Sequence, residues 1–259
     1  MKLQLSLALI LFWGTNLIAQ NKAILSGKLN PESNLTEISI RDIDGVVVAA
    51  PVKEDGSFML STDKLLKGFY EISDMGTVYL KPGFSLVTSY DGKQYKFSGN
   101  GAVENNALIQ ARADLNKFFP LDEKNQPLQE TYYLDVPVFL EKMQSFYEHG
   151  EKLFSQSSDA FFKEFALLDL KFVGREMTWL YSLYYGKDLK KMEAFHDLIQ
   201  NADREDPGFS KKLDSAYRAT NVKQIDSVSL KNLQAFLYES WDKNNEVLFK
   251  NSSAYRRGI

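Results

Sequence analysis

The chain has 259 residues, 44 % of them hydrophobic and 25 % charged, with 31 Lys+Arg against 34 Asp+Glu for a net charge of −3. This is the balance of a globular protein; it excludes a disordered chain, a collagen and a coiled coil, and the mild acidity argues against nucleic acid, whose phosphates require a basic excess. With no Cys and 2 His, disulfides, thiol redox chemistry and Cys–zinc sites are excluded, and little remains for a His-based metal or acid–base centre.

Residues 1–20 read as a signal peptide. Lys2 supplies the positive start, Leu3 to Phe12 form an apolar stretch broken only by Gln4 and Ser6, and Ala19 offers a small residue before Gln20. The apolar run is about half the length of a membrane-spanning helix. The expectation is therefore export, with no transmembrane span in the mature chain. An exported chain without Cys points to the periplasm or cell envelope of a Gram-negative bacterium more than to a disulfide-forming secretory route.

Residues 21–101 read as strands. Apolar and polar residues alternate over Ala23–Leu29, Thr36–Asp42, Val46–Val52, Ser57–Ser61, Gly68–Ser73, Thr77–Lys81, Phe84–Tyr90 and Gln94–Phe97. Asp44-Gly45, Asp55-Gly56 and Asp91-Gly92 carry the chemistry of tight hairpins, and Pro82-Gly83 marks a further turn. About eight short strands at this spacing predict an antiparallel β-sandwich.

The period changes at Gly99-Asn100-Gly101, and residues 102–259 read as an all-helical domain, giving an α+β chain. Val136, Phe139, Leu140, Met143, Phe146 and Tyr147 follow helical spacing. So do Phe161, Phe165, Leu168, Phe172, Trp179, Leu183 and Tyr184, then Leu189, Met192, Phe195 and Ile199, then Leu230, Leu233, Phe236, Leu237 and Trp241. Gly150 and Gly186 are expected near helix ends, with Asp206 as an N-cap and Pro207 at the first helical position. Lys117 to Tyr132, with Pro120 and Pro127, reads as a loop.

Several patterns suggest chemistry, and each has a plainer explanation. Asp42-Ile43-Asp44-Gly45 begins like a calcium loop but lacks the later oxygen ligands, so a hairpin turn is expected. Glu193 and His196 have the spacing of a di-iron bundle without the second pair. A Ser-His-Asp hydrolase would need His149 or His196 as its base, and no Gly-x-Ser-x-Gly elbow presents a nucleophile. Ser98-Gly99-Asn100-Gly101 is too short for a phosphate cradle. Lys187, Lys190 and Lys191 read as a solvated helix face. Asp214-Ser215-Ala216 and Asp226-Ser227-Val228 resemble an O-glycosylation motif used by some bacteria in the periplasm, both within expected helix. No catalytic, cofactor or metal residue is assigned. Trp179, Tyr181, Tyr184 and Tyr185 form a candidate binding surface.

The order of features over residues 24–106 resembles the N-terminal region of bacterial envelope thiol:disulfide interchange proteins of the thioredoxin superfamily. The matching residues are Ile24-Leu25-Ser26-Gly27, Asp55-Gly56-Ser57-Phe58, Gly68-Phe69-Tyr70, Val78-Tyr79-Leu80-Lys81-Pro82-Gly83, and Phe97-Ser98-Gly99-Asn100-Gly101 with Asn105-Asn106. In that family a small β domain and a helical segment precede a thioredoxin domain bearing Trp-Cys-x-x-Cys. This chain ends at Arg256-Arg257-Gly258-Ile259, about where that domain would begin, and has no Cys. The resemblance therefore implies a non-catalytic accessory half that docks an envelope protein or the missing thioredoxin domain. The alternative is a periplasmic ligand-binding protein using the aromatic helices or the seam between the domains.

Overall fold

A computed structural model of the chain describes residues 22–122, 127–201, 207–238 and 246–251. The leader reading over 1–20, the Asp206 cap and Trp241 lie outside them. The described residues form two compact units. One holds 22–112, 150–169 and 246–251; the other holds 113–122, 127–149, 170–201 and 207–238.

In the first unit the alternating runs become eight strands: β1 (Ala23–Lys28), β2 (Glu37–Asp42), β3 (Gly45–Pro51), β4 (Ser57–Thr62), β5 (Gly68–Ile72), β6 (Gly76–Leu80), β7 (Ser85–Tyr90) and β8 (Tyr95–Asn100). They form two four-stranded sheets, ordered β4-β1-β7-β8 and β3-β2-β5-β6. Leu25, Leu60 and Leu86 from the first sheet and Ile38, Ile40, Ile72 and Val78 from the second share one buried core. The fold is α+β, with the sandwich first and helices after it.

Three expectations change in detail. Pairing is antiparallel except between β1 and β7, which run parallel with Leu25 opposite Leu86. Gly27, with φ +150°, allows this approach: a Cβ there would lie 2.3 Å from the Thr88 carbonyl oxygen. Second, Asp55-Gly56 does not close a hairpin between paired strands, because β3 and β4 belong to different sheets. It is a corner, as is Pro82-Gly83, where Gly83 has φ +86° and the Phe84 N–H donates to Lys81 O at 3.1 Å. Third, β8 runs on through Gly99 to Asn100, because both residues still pair with β7.

The helices are α1 (Ala102–Phe118), α2 (Gln129–Tyr133), α3 (Val136–Phe154), α4 (Ala160–Tyr184), α5 (Leu189–Gln200), α6 (Phe209–Ala219), α7 (Ser227–Tyr238) and α8 (Glu246–Asn251). None of the described helices is long and apolar enough to cross a membrane. The stretch read as a loop after Lys117 contains α2 and a bridge between Leu121 and Pro127. Gly150 lies within α3 rather than at its end, whereas Gly186 follows α4 with φ +62°. Pro207 precedes α6 by two residues, and Gly208 occupies its N-cap. Asp226 precedes α7 instead of lying within it.

In the first unit, the outer side of β6 is covered by aromatic rings. Tyr79 is fully buried, 5.2 Å from Phe162 at the start of α4 and 5.1 Å from Phe69. In the second unit the expected α3 stripe is the core: Val136, Phe139, Met143 and Phe146 are all buried.

Candidate functional site

A concavity lies in the first unit, beside the β1–β2 connection and the β3–β4 corner. It is a cleft of about 660 Å³ lined by Lys28–Pro31, Ser33–Thr36 and Val52–Gly56. Asn30-Pro31 stops β1 by turn chemistry: Asn30 Oδ1 accepts the Glu32 N–H at 3.1 Å and Asn30 O accepts that of Ser33 at 2.8 Å. The Asn30 N–H donates to Tyr95 Oη at 2.8 Å. The opposite wall turns on Gly56, φ +78°, whose N–H donates to Lys53 O. The walls are tied to each other by Leu29 N–H to Gly56 O and Val52 N–H to Thr36 O, 3.1 and 2.9 Å.

The charges around the cleft balance. Lys28 faces Asp55 at 3.3 Å. The Ser57 hydroxyl and N–H, with Lys28, hold the Asp55 carboxyl down at about 2, so it is ionised at neutral pH. Lys53 and Glu54 are exposed and form no ion pair among the described residues. Ser33, Asn34 and Thr36 add polar groups, while Leu29 is buried beneath them and Leu35 is 38 % exposed. A mixed, open surface of this kind suits an extended polypeptide better than a small ligand that must be enclosed.

In the second unit the structure assembles a pair that sequence spacing did not reveal. Asp114 on α1 is buried, and its carboxylate meets His149 Nε2 on α3 at 2.6 Å and also Lys117. The His149 side chain is 40 % exposed. This arrangement orients an imidazole, but no serine hydroxyl hydrogen-bonds the ring among the described residues. Thirty-five positions separate the partners, so no local pattern announces them.

The aromatic candidates divide. Tyr181 and Tyr184, three apart, lie on one side of α4, and Tyr185 follows the end of the helix. Tyr181 is fully buried, stacks on Phe139 at 3.8 Å and 9°, and donates its hydroxyl to Leu134 O at 2.7 Å. Tyr184 lies 5.4 Å from Tyr132, and Lys223 Nζ sits over the Tyr185 ring. Trp179, two residues before Tyr181, lies on the opposite side and is 54 % exposed.

Other motifs resolve locally. The Asp42–Gly45 segment is a hairpin turn in which Asp42 Oδ1 accepts the Asp44 N–H at 2.8 Å. Glu193 and His196 are both exposed on α5, and no group of three potential metal ligands occurs among the described residues. Lys190 and Lys191 are solvated as expected. Lys187 is not: it is buried, with Nζ on Asn221 Oδ1 at 2.5 Å and above the Tyr217 ring at 4.1 Å. The backbone around it explains this, because Lys187 pairs with Asn221 in a β-bridge.

Gly101 is required by packing rather than by a ligand: a Cβ there would meet the Phe84 ring at 2.4 Å. Compared with protein-family models, with curated proteins and with solved structures, the chain matches none.

Proposed function

We propose that the chain is an exported, non-catalytic docking module of the cell envelope, the accessory half of a thioredoxin-family thiol:disulfide interchange system. The cleft between the β1–β2 connection and the β3–β4 corner receives the partner. The observation that carries this reading is the cleft itself: an open surface with pinned walls. Because backbone hydrogen bonds tie the walls together, little loop ordering opposes binding. Lys53 and Glu54, unpaired among the described residues, adjacent and of opposite sign, set the register of an incoming segment. A thioredoxin module has a shallow active site, and a neighbouring module adds the surface that it lacks.

The test uses a purified thioredoxin-fold domain bearing Trp-Cys-x-x-Cys, titrated into isotopically labelled chain. The expected result is saturable binding, with NMR shifts concentrated at Lys28–Thr36 and Val52–Gly56. Lys53→Glu should weaken it by about tenfold, a loss of about 1.4 kcal/mol. Titrations that leave the cleft resonances in place would overturn the proposal.

A further inference from the structure

The two Asp-Ser-apolar triplets are equivalent as sequence but not as structure. Ser215 lies inside α6, between Asp214 and Ala216, with its backbone in the helical ladder. Asp214 is engaged by Arg218 at 3.0 Å. To enter a transferase site, this segment would have to unwind.

Ser227 is placed differently. It is the first residue of α7, and residues 223–226 before it have no regular secondary structure. Amides in the first turn of a helix are outside the ladder, so the segment ending at Ser227 can be gripped without breaking helix. Asp226, Ser227 and Val228 are all exposed, Val228 by 66 %. The Ser227 hydroxyl makes no hydrogen bond within the described residues.

The carboxylate beside that hydroxyl is fixed. Asp226 accepts the N–H groups of Val228 and Ser229, each at 2.9 Å, and the Ser229 hydroxyl at 2.6 Å. Those bonds lower its pKa, with the Ser229 hydroxyl the largest cause. A free hydroxyl thus stands between a preorganised anion and an exposed apolar side chain.

We infer that Ser227 is a site of O-glycosylation and that Ser215 is not. The donor class is a glycan activated as a lipid diphosphate. Ser227 Oγ attacks the anomeric carbon, forming a carbon–oxygen bond. The bond from that carbon to the diphosphate breaks, its electron pair leaves with the diphosphate, and the hydroxyl proton passes to a base of the transferase. The inference rests on the export proposed above.

The test is mass spectrometry of the full chain, expressed with its first twenty residues in a Gram-negative host that glycosylates exported proteins at this triplet. A processed N-terminus and a glycan mass on the peptide containing Ser227 are expected. Ser227→Ala should remove that mass completely, and Ser215→Ala should leave it. Asp226→Asn keeps a good helix cap, so it should abolish modification while the melting temperature stays unchanged. A processed chain with unmodified Ser227, or a mass that survives Ser227→Ala, overturns the inference alone. A chain that is unmodified and retains residues 1–20 overturns the export reading as well.

Discussion

Asn105 and Asn106 are neighbours on α1, yet each closes the edge of a different sheet. Asn105 Oδ1 accepts the Tyr79 N–H at 2.8 Å and its Nδ2 donates to Tyr79 O at 2.9 Å, so it pairs with β6 as another strand would. Asn106 repeats this on β8, with Phe97 N–H to Oδ1 at 2.9 Å and Nδ2 to Phe97 O at 2.8 Å. Only a primary amide offers a donor and an acceptor in this geometry. Both partners of Asn105 are buried, so Asn105→Ala leaves a backbone N–H and C=O without partner or water. The expected loss is about 3 kcal/mol in urea unfolding. Asn106 works at a half-exposed position, where water can replace it, and Asn106→Ala should cost about 1 kcal/mol. Equal losses would mean that helix context rather than edge pairing sets the value. The sequence draws attention to this dipeptide through the resemblance alone. Its role was not legible, because pairing with Tyr79 spans 26 positions.

At the scale of elements, the start of α4 is held to β6 by one carboxylate. Asp159 precedes the helix; Oδ1 accepts the Phe162 N–H at 3.3 Å, and Oδ2 accepts Lys81 Nζ at 2.7 Å and Tyr79 Oη at 2.9 Å. Burial would raise its pKa, but the Lys81, Tyr79 and Phe162 hydrogen bonds outweigh that and hold it at about 2, against an ordinary 3.8. A depressed folded value means that the stability is present above pH 3.8 and is lost as pH falls towards 2. The amount is about 2 kcal/mol. Asp159→Asn retains a capping side chain but removes the titration. Its urea midpoint should therefore lack the wild-type decline across this window, and parallel declines would refute the assignment. Elements themselves were largely legible. All eight strands fall within a few residues of the alternating runs, because alternation records which face of a strand is buried. Pairing was legible only in part: the turns at Asp44-Gly45 and Asp91-Gly92 join the antiparallel pairs β2–β3 and β7–β8, as their chemistry predicts, whereas the partners on either side of the remaining turns were not. The corners at Asp55-Gly56 and Pro82-Gly83 carry the same residues as hairpin turns, and only the long-range core decides that the chain changes sheet there.

For the whole molecule, two facts bear on function together: the chain contains no Cys, and its first unit carries an open cleft whose walls are hydrogen-bonded to each other. A chain without thiols cannot exchange disulfides. Any effect it has on such a reaction must come from binding, and binding surface acts only on substrates large enough to reach it. This separates docking from catalysis in a single assay. With a thioredoxin-fold partner supplied in trans, the chain should raise the partner's kcat/KM for a disulfide-bonded protein by lowering KM. It should leave the rate with a small aromatic disulfide unchanged, because such a substrate contacts only the active-site dithiol. Lys53→Glu should reduce the first effect by about tenfold, in step with the binding loss. Equal acceleration of both substrates would place the effect on the dithiol itself, and the cleft would then have no part in it. The candidate site was the least legible feature of all. Its lining joins residues 28–36 to residues 52–56, and nothing in either segment marks a cleft until the β3–β4 corner brings them side by side.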